Sequence, residues 1–352
     1  MKRDKTIFLT GGSGVLGQAI LNEQPTFDVL CLVNQSPLNH SGFRNIRGNI
    51  SKERLGLDPD AFAKLTDQIE FIIHSAAITD FNRPESQIFE ANVEGTKNII
   101  DLAKKAKAVL YFVSTAFTYQ GSHKNGSFIP NHYERSKIEA EKLVKESGLP
   151  YVIIRPSMIA GDSKTGQMAR FQGLHYLLAL FMKGYLPVMP SNPDFFCDFV
   201  PQDWVAQSII ALIENEVSRG EIWLTAGEQA AKMSEMVELG LSEALRLTKR
   251  ELDRPRFLSL DSFNRLVRPV FLPALPTGIQ AVIERALDMA RYFNIENPFP
   301  SSGAYLSSTL QVTPLPQTSQ TLIKNLEYWA ALEESGALRS SSAKRKTPQS
   351  IH

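Results

Sequence analysis

The 352-residue chain is short of several things, and each shortage removes a class of protein. Its only cysteines are Cys31 and Cys197, both in apolar surroundings, which fits two reduced, buried thiols and excludes a disulfide framework. Net charge is nearly absent, 38 Lys+Arg against 37 Asp+Glu, so nothing in the total favours nucleic-acid binding. No apolar run reaches the roughly 20 residues of a membrane-spanning helix. The opening MKRDKTIFLTGG is basic, but its apolar stretch stops at a glycine pair, too early for a secretion signal. His123, His132 and His175 form no metal spacing with either cysteine, and no metal is expected. There is no internal repeat. What remains is an ordinary globular composition, and the chain is expected to be soluble and cytoplasmic.

What is present is an alternation of two hydrophobic periods. Short β-type runs occur at 6–10, 29–33, 71–74, 109–114 and 151–155, with helix-type segments at 14–22, 85–105 and 132–146. The strand runs (IFLT, VLCLV, FIIH, VLYFVS, YVIIR) are almost continuously apolar, as a parallel sheet covered on both faces requires. The expected fold class is α/β: a doubly wound, Rossmann-type parallel sheet over 1–160, with a smaller, mainly helical substrate-binding portion over 161–335. Some strands of that portion return to the core sheet, 222–225 being a candidate. Residues 336–352 are small, polar and basic, and are expected to be a disordered tail.

The sharpest local signal is TIFLTGGSGVLGQAI. A β-type run ends at Thr10, and Gly11, Gly14 and Gly17 follow at G-x-x-G-x-x-G spacing where a helix begins. Gly11 permits the tight turn, Gly14 lets backbone approach a pyrophosphate, and Gly17 lets helix pack closely on strand; free amides at the helix start face the phosphates. This predicts a nicotinamide dinucleotide. The second strand ends in Val33-Asn34-Gln35-Ser36, without the carboxylate that usually selects NADH. Asn34 and Ser36 can accommodate a 2′-phosphate and Arg44 is a candidate to reach it, so NADPH is expected ahead of NADH. Asn49 is either an adenine contact or a plain turn residue.

A second signal is Tyr133-Glu-Arg-Ser-Lys137 on a predicted helix, where a four-residue step puts both side chains on one face. It lies downstream of a strand ending Val113-Ser114-Thr115-Ala116. A phenol of ordinary pKa near 10 must be brought towards neutrality to exchange protons usefully, and a nearby ammonium favours its phenolate. Lys137 is expected to do this while bonding the nicotinamide ribose, with Thr115 or Ser114 holding the substrate oxygen.

These pieces, together with HSAAITDFN (74–82), ANVEGTKNII (91–100), IIRPSMIAGDSKTG (153–166) and DFVPQDWVA (198–206), resemble the extended short-chain dehydrogenases/reductases. Within that group the chain looks most like the thioester-reductase and fatty-acyl-CoA-reductase branch, with its male-sterility-type NAD-binding domain. The resemblance runs through the first 206 residues in family order. It implies that Gly11, Ser13, Gly14, Val15, Leu16 and Gly17 bind the pyrophosphate, with Asn34 and Asn49 on the adenosine side. It implies also that Ala76 and Ala77 line the cofactor, that Pro156, Ser157 and Ile159 contact the nicotinamide end, and that Asn92 orients backbone and water behind the lysine. Thr115, Tyr133 and Lys137 would then carry catalysis. Two departures stand out: the branch often has Arg at the position of Asn34 and Asp at that of Asn49.

The reaction so implied is NAD(P)H-dependent reduction of an acyl thioester, on coenzyme A or a carrier protein, to an aldehyde or onward to an alcohol. The rivals are a ketone/alcohol oxidoreductase of a lipid-like substrate, a sugar-nucleotide epimerase and a non-catalytic dinucleotide-binding regulator. Residues 171–190, rich in Leu, Phe, Tyr and Met, are either plain core or the wall of an acyl pocket. His74 reads as a packed histidine. Residues 263–283 mix apolar side chains with Arg265 and Arg268, and either graze a bilayer or cover the core.

Overall fold

A computed structural model of the chain describes residues 5–34, 43–81, 83–123, 128–169, 173–274 and 277–335. Ser36 and the expected tail at 336–352 lie outside the described residues. The apolar runs form one seven-stranded sheet. Its strands are β1 (Thr6–Thr10), β2 (Asp28–Val33), β3 (Arg44–Arg47), β4 (Phe71–His74), β5 (Val109–Val113), β6 (Tyr151–Pro156) and β7 (Gly220–Leu224). The order across the sheet is β7-β6-β5-β4-β1-β2-β3 and every neighbouring pair is parallel.

The continuous apolar character of these strands follows from burial on both sides. One face packs on α1 (Val15–Asn22) and α7 (Gln202–Glu214), through Leu16, Ile20, Trp204, Ile209 and Leu212. The other packs on α2 (Pro59–Thr66), α4 (Gly95–Ala106) and α5 (His132–Glu146), through Phe62, Ile99, Leu102, Ala140 and Val144. Helices on both faces make the sheet doubly wound, and β1 between β4 and β2 marks the point where strand order reverses. Ligands of such sheets bind beyond the carboxyl ends of the strands at that point.

Two details depart from the sequence reading. The strand β3 was not anticipated, because an edge strand buries little: three of the four residues in RNIR are exposed, so no apolar run announces it. The helix expected over 85–105 is broken into α3 (Glu85–Phe89), a π-turn at Glu90–Glu94, and α4. Such π-turns recur at functional sites, and this one carries Asn92.

The described chain divides into two compact units. The first takes residues up to Ile159 together with Asp198–Ala230 and Ile295–Leu315, so β7 and α7 belong to it. The second consists of Ala160–Cys197, Ala231–Asn294 and the residues from Pro316. It contains α6 (Gly173–Met182), α8 (Met233–Thr248) and the helix Thr318–Glu334, with two short strand pairs, Phe196–Cys197 on Ala231–Lys232 and Val188–Pro190 on Arg256–Leu258. Inside this unit is a small apolar pocket. Leu174, Leu177, Phe181 and Met189 of the 171–190 stretch line it, facing Met233 and Val237 of α8.

No helix of the described residues is long and apolar enough to cross a membrane. In the 263–283 segment, Leu266 and Val270 are 65% and 73% exposed, while Arg265 pairs with Asp261 and Arg268 with Asp288.

Candidate functional site

The turn from β1 into α1 is built for close approach. Gly11 has φ +78°, and a Cβ there would meet the Ala76 backbone nitrogen at 2.7 Å. A Cβ on Gly17 would meet the Gly11 carbonyl oxygen at 2.2 Å, so helix and strand touch at backbone distance. No side chain caps α1, which leaves the amides of its first turn, Val15 to Gly17, to an outside acceptor. Ser13 and Gly14 are exposed in the same turn. A cradle without Cβ atoms at an uncapped helix start fits a pyrophosphate.

A buried polar seam ties this turn to α5. The Ala76 amide donates to Thr10 Oγ1 at 3.2 Å, and Thr10 Oγ1 donates to His74 Nδ1 at 2.8 Å. His74 Nε2 then donates to Thr96 Oγ1 at 3.2 Å, which donates in turn to the Asn92 carbonyl at 2.6 Å. This chain of donors fixes the His74 tautomer with its proton on Nε2. Burial, with the Lys137 charge nearby, holds His74 down at about 3, so it is neutral: a packed histidine. Asn92 Oδ1 accepts from the Ile78 amide at 2.8 Å, and Asn92 Nδ2 donates to the Ile78 carbonyl and, at 2.9 Å, to Ser136 Oγ on α5. Asn92 therefore braces the loop after β4, where Ala76 and Ala77 lie half-buried, against the helix that carries Tyr133 and Lys137.

That helix begins where it does because Asn131 and Glu134 form a capping box: Glu134 N donates to Asn131 Oδ1 at 2.8 Å, and Asn131 N to Glu134 Oε2 at 2.9 Å. Caps of this kind contribute about 1 kcal/mol. The start point puts Tyr133 in the first turn and Lys137 one turn on. The Thr115 hydroxyl is near enough to the Tyr133 phenol to favour its ionised form. Thr115 is buried just beyond the carboxyl end of β5 and opens a 3-10 turn, Ala116–Thr118. Lys137 is 3% exposed, donates to the Val113 carbonyl at 2.7 Å, and lies 4.2 Å above the Phe112 ring centroid. Thr115, Tyr133 and Lys137 are thus gathered at one edge of the sheet.

Their electrostatics differ from the expectation. Tyr133, partly exposed and packed on Phe81, has its phenol pushed above its ordinary value by burial and by the Glu134 carboxylate; the Thr115 hydroxyl opposes this. Lys137 does not depress it. The reason is that the amine is itself desolvated: burial lowers Lys137 to about 7, against the pull of Glu141. The phenol is therefore a protonated acid at neutral pH, beside an amine poised between its two charge states.

Other predicted residues are placed as follows. Asn34 is exposed just past β2. Asn49 uses its side-chain oxygen in the turn after β3, accepting from Ser51 N at 2.9 Å, so this atom braces the turn. Pro156 ends β6, Ser157 is buried with its amide on the Leu224 carbonyl at 3.1 Å, and Ile159 packs beside the core. Arg44 departs from its expected role. It stands opposite Leu30, three residues short of the end of β2, and is paired with Asp28. Arg47 was missed: the register sets it beside Val33, at the carboxyl end of the sheet, exposed and with no ion pair to a described residue. The sequence reading also missed the carboxylate of Glu141, which binds Ser114 Oγ at 2.5 Å and Arg155 at 2.6 and 2.9 Å. Its one signal was a lone Arg in the apolar run YVIIRP. Among the described residues no three His, Cys, Asp or Glu side chains gather as a metal site.

The family model described as male sterility protein, an NAD-binding domain, matches residues 33–209. Glycine betaine reductase ATRR of Emericella nidulans is 28% identical over 252 residues, covering 59% of this chain and 20% of that protein. A putative fatty acyl-CoA reductase of Drosophila melanogaster, CG8303, is 24% identical over 279 residues, covering 59% of this chain and 51% of that protein. The chain thus spans about half, or less, of these curated relatives. Among solved structures, the terminal R domain from the myxalamid PKS-NRPS biosynthetic pathway superposes with a TM-score of 0.72 at 25% identity, covering 95% of this chain and 92% of that one.

The close packing at Gly17 yields a direct test. Gly17→Ala is expected to weaken nicotinamide dinucleotide binding at least tenfold, about 1.4 kcal/mol, and to lower the melting temperature. Fluorescence titration and thermal melting check this; unchanged affinity would mean that the turn does not hold the pyrophosphate.

Proposed function

The chain belongs to the male sterility family of NAD(P)-binding oxidoreductase domains, and on that premise we propose that it is a cytoplasmic NADPH-dependent reductase of acyl thioesters. The substrate is an acyl group on coenzyme A or a carrier protein, and the first product is an aldehyde. The observation that carries this reading is the convergence at the end of β5 of Thr115, of the Tyr133 phenol whose ionised form Thr115 favours, and of the Lys137 amine on the Val113 carbonyl.

Gly11, Ser13, Gly14, Val15, Leu16 and Gly17 would hold the pyrophosphate, and Ala76, Ala77, Pro156, Ser157 and Ile159 would border the nicotinamide half. When bound, the reduced nicotinamide supplies the hydride that goes to the thioester carbon. The chain's own residues handle the oxygen. Thr115 and Tyr133 donate hydrogen bonds to it as negative charge develops, and Tyr133 gives up its proton. A phenol raised by burial parts with a proton only if the phenolate is met by a positive charge, and Lys137 in its ammonium form meets it. The resulting hemithioacetal loses its hydroxyl proton as the carbon–sulfur bond breaks, which leaves the aldehyde and the free thiol. Reprotonation of Tyr133 from solvent resets the site.

Two observations support the finer parts. The second unit's cavity has an apolar wall with no charged side chain in its lining, which suits an acyl chain better than a sugar nucleotide. The relatives named as a glycine betaine reductase and a putative fatty acyl-CoA reductase, and the R domain of a synthetase pathway, fit carboxyl-level substrates. For the cofactor, β2 ends without a carboxylate, and Arg47 presents a planar five-donor fork beside that end, suited to a 2′-phosphate.

Purified protein with NADPH and a panel of acyl-CoA and acyl-carrier thioesters is expected to yield aldehyde, and Tyr133→Phe to lower kcat by 10²-fold or more, on the order of 3 kcal/mol. Turnover of simple ketones in the absence of any thioester turnover would contradict the reading. Arg47→Gln is expected to weaken NADPH binding about tenfold while leaving NADH affinity within twofold, as measured by fluorescence titration. Equal losses for the two nucleotides would remove Arg47 from the 2′-phosphate.

A further inference from the structure

We propose that Glu141 is a positioning residue of the Thr115–Tyr133–Lys137 site, acting from within the protein on both the hydroxyl edge and the lysine. It rests on the reading of that trio as the catalytic group.

The geometry is that of a buried carboxylate with every neighbour placed for a purpose. Glu141 follows Lys137 by four residues on α5, so the two side chains share a helical face. Glu141 Oε1 accepts from Ser114 Oγ at 2.5 Å and from Thr118 Oγ1 at 3.4 Å. Ser114 and Thr118 flank Thr115, so one carboxylate grips both sides of the residue meant to hold the substrate oxygen. On its other side Arg155 of β6 donates Nε and Nη2 to Glu141 at 2.9 and 2.6 Å, and Nη1 to Glu221 of β7 at 2.7 Å. The guanidinium also stacks on the Trp223 ring at 4.5 Å.

The Arg155 fork satisfies this buried carboxylate and sets an opposing charge against it. The carboxylate is then a fixed negative charge one turn from Lys137. The titratable and charged groups facing that amine are Tyr133, Glu134 and Glu141 on its own helix and His74 on β4, with Arg155 and Glu221 behind Glu141. Tyr133 and His74 are neutral at pH 7, so they bring no charge to bear. Glu141 is the neighbour whose charge opposes the desolvation of Lys137. Without it the ammonium form would give way at lower pH. The limb of activity that needs the ammonium, lost as pH rises through the amine's folded value, would move down.

The test uses Glu141→Gln and Glu141→Asp in the full chain, with thermal melting to establish that each folds. Two pH profiles are read: kcat/KM for thioester reduction, and NADPH affinity measured without substrate, since Lys137 is the group proposed to bond the nicotinamide ribose. In Glu141→Gln the alkaline limb of both is expected to fall by about one pH unit. In Glu141→Asp, which keeps the charge but shortens the reach to Ser114, the limb is expected to stay while kcat drops about tenfold with little change in KM. Limbs that coincide with wild type in Glu141→Gln, with only a lower melting temperature, would overturn the proposal and leave Glu141 a structural anchor. If the Glu141→Gln variant does not fold, a displaced limb in Glu141→Asp overturns it equally. Absence of thioester turnover in wild type alongside a shifted NADPH limb would sink the thioester reading while supporting the role of Glu141.

Discussion

The site depends on an amine kept out of water. Lys137 is 3% exposed, tied to the Val113 carbonyl and set over the Phe112 ring. Desolvation takes it down to about 7, where loss and gain of its charge are nearly balanced. An ordinary surface lysine would stay an ammonium well past neutrality and would be screened by solvent. In the buried position its charge bears on His74, and the last carbonyl of β5 holds the amine in place. The Thr115 hydroxyl, buried just beyond the end of β5, completes the group.

Holding these groups requires a scaffold that resists adjustment, and the buried seam from Thr10 through His74, Thr96 and Asn92 to Ser136 supplies it. Each member is hydrogen-bonded within the protein, so breaking any link leaves a polar atom unsatisfied in the core, about 1–3 kcal/mol. The seam joins the dinucleotide turn after β1, the loop after β4 and the start of α5. The π-turn at Glu90–Glu94 is what brings Asn92 inward between two of these elements. The glycine turn after β1 and the start of α5 are thereby parts of one hydrogen-bonded assembly.

Much of this was legible in the sequence, for identifiable reasons. Strands buried on both faces must be apolar throughout, so β1, β2, β4, β5 and β6 were visible as runs. The glycines before α1 and the Tyr/Lys step on α5 follow from backbone contact and helical periodicity, both local. What escaped was non-local. β3 hid because an edge strand such as RNIR needs few buried residues. Arg47, and not Arg44, flanks the end of β2, and only the strand register distinguishes them. Glu141 and Arg155 looked like a helix-surface acid and a strand-end base until the fold set them together. The direction of the Tyr133 shift was misjudged for the same reason: charge spacing can be read from sequence, but desolvation belongs to the assembled core.

The central claim is that a phenol, a hydroxyl and an amine at the end of β5 meet one substrate atom beside a reduced nicotinamide. A crystal structure of the chain with NADP and a non-cleavable acyl thioester analogue tests it most directly. The account predicts the analogue's carbonyl oxygen within hydrogen-bond distance of both Thr115 Oγ1 and Tyr133 Oη, with Lys137 Nζ on a ribose hydroxyl. A nucleotide seated at the glycine turn with its nicotinamide away from these three groups would contradict it.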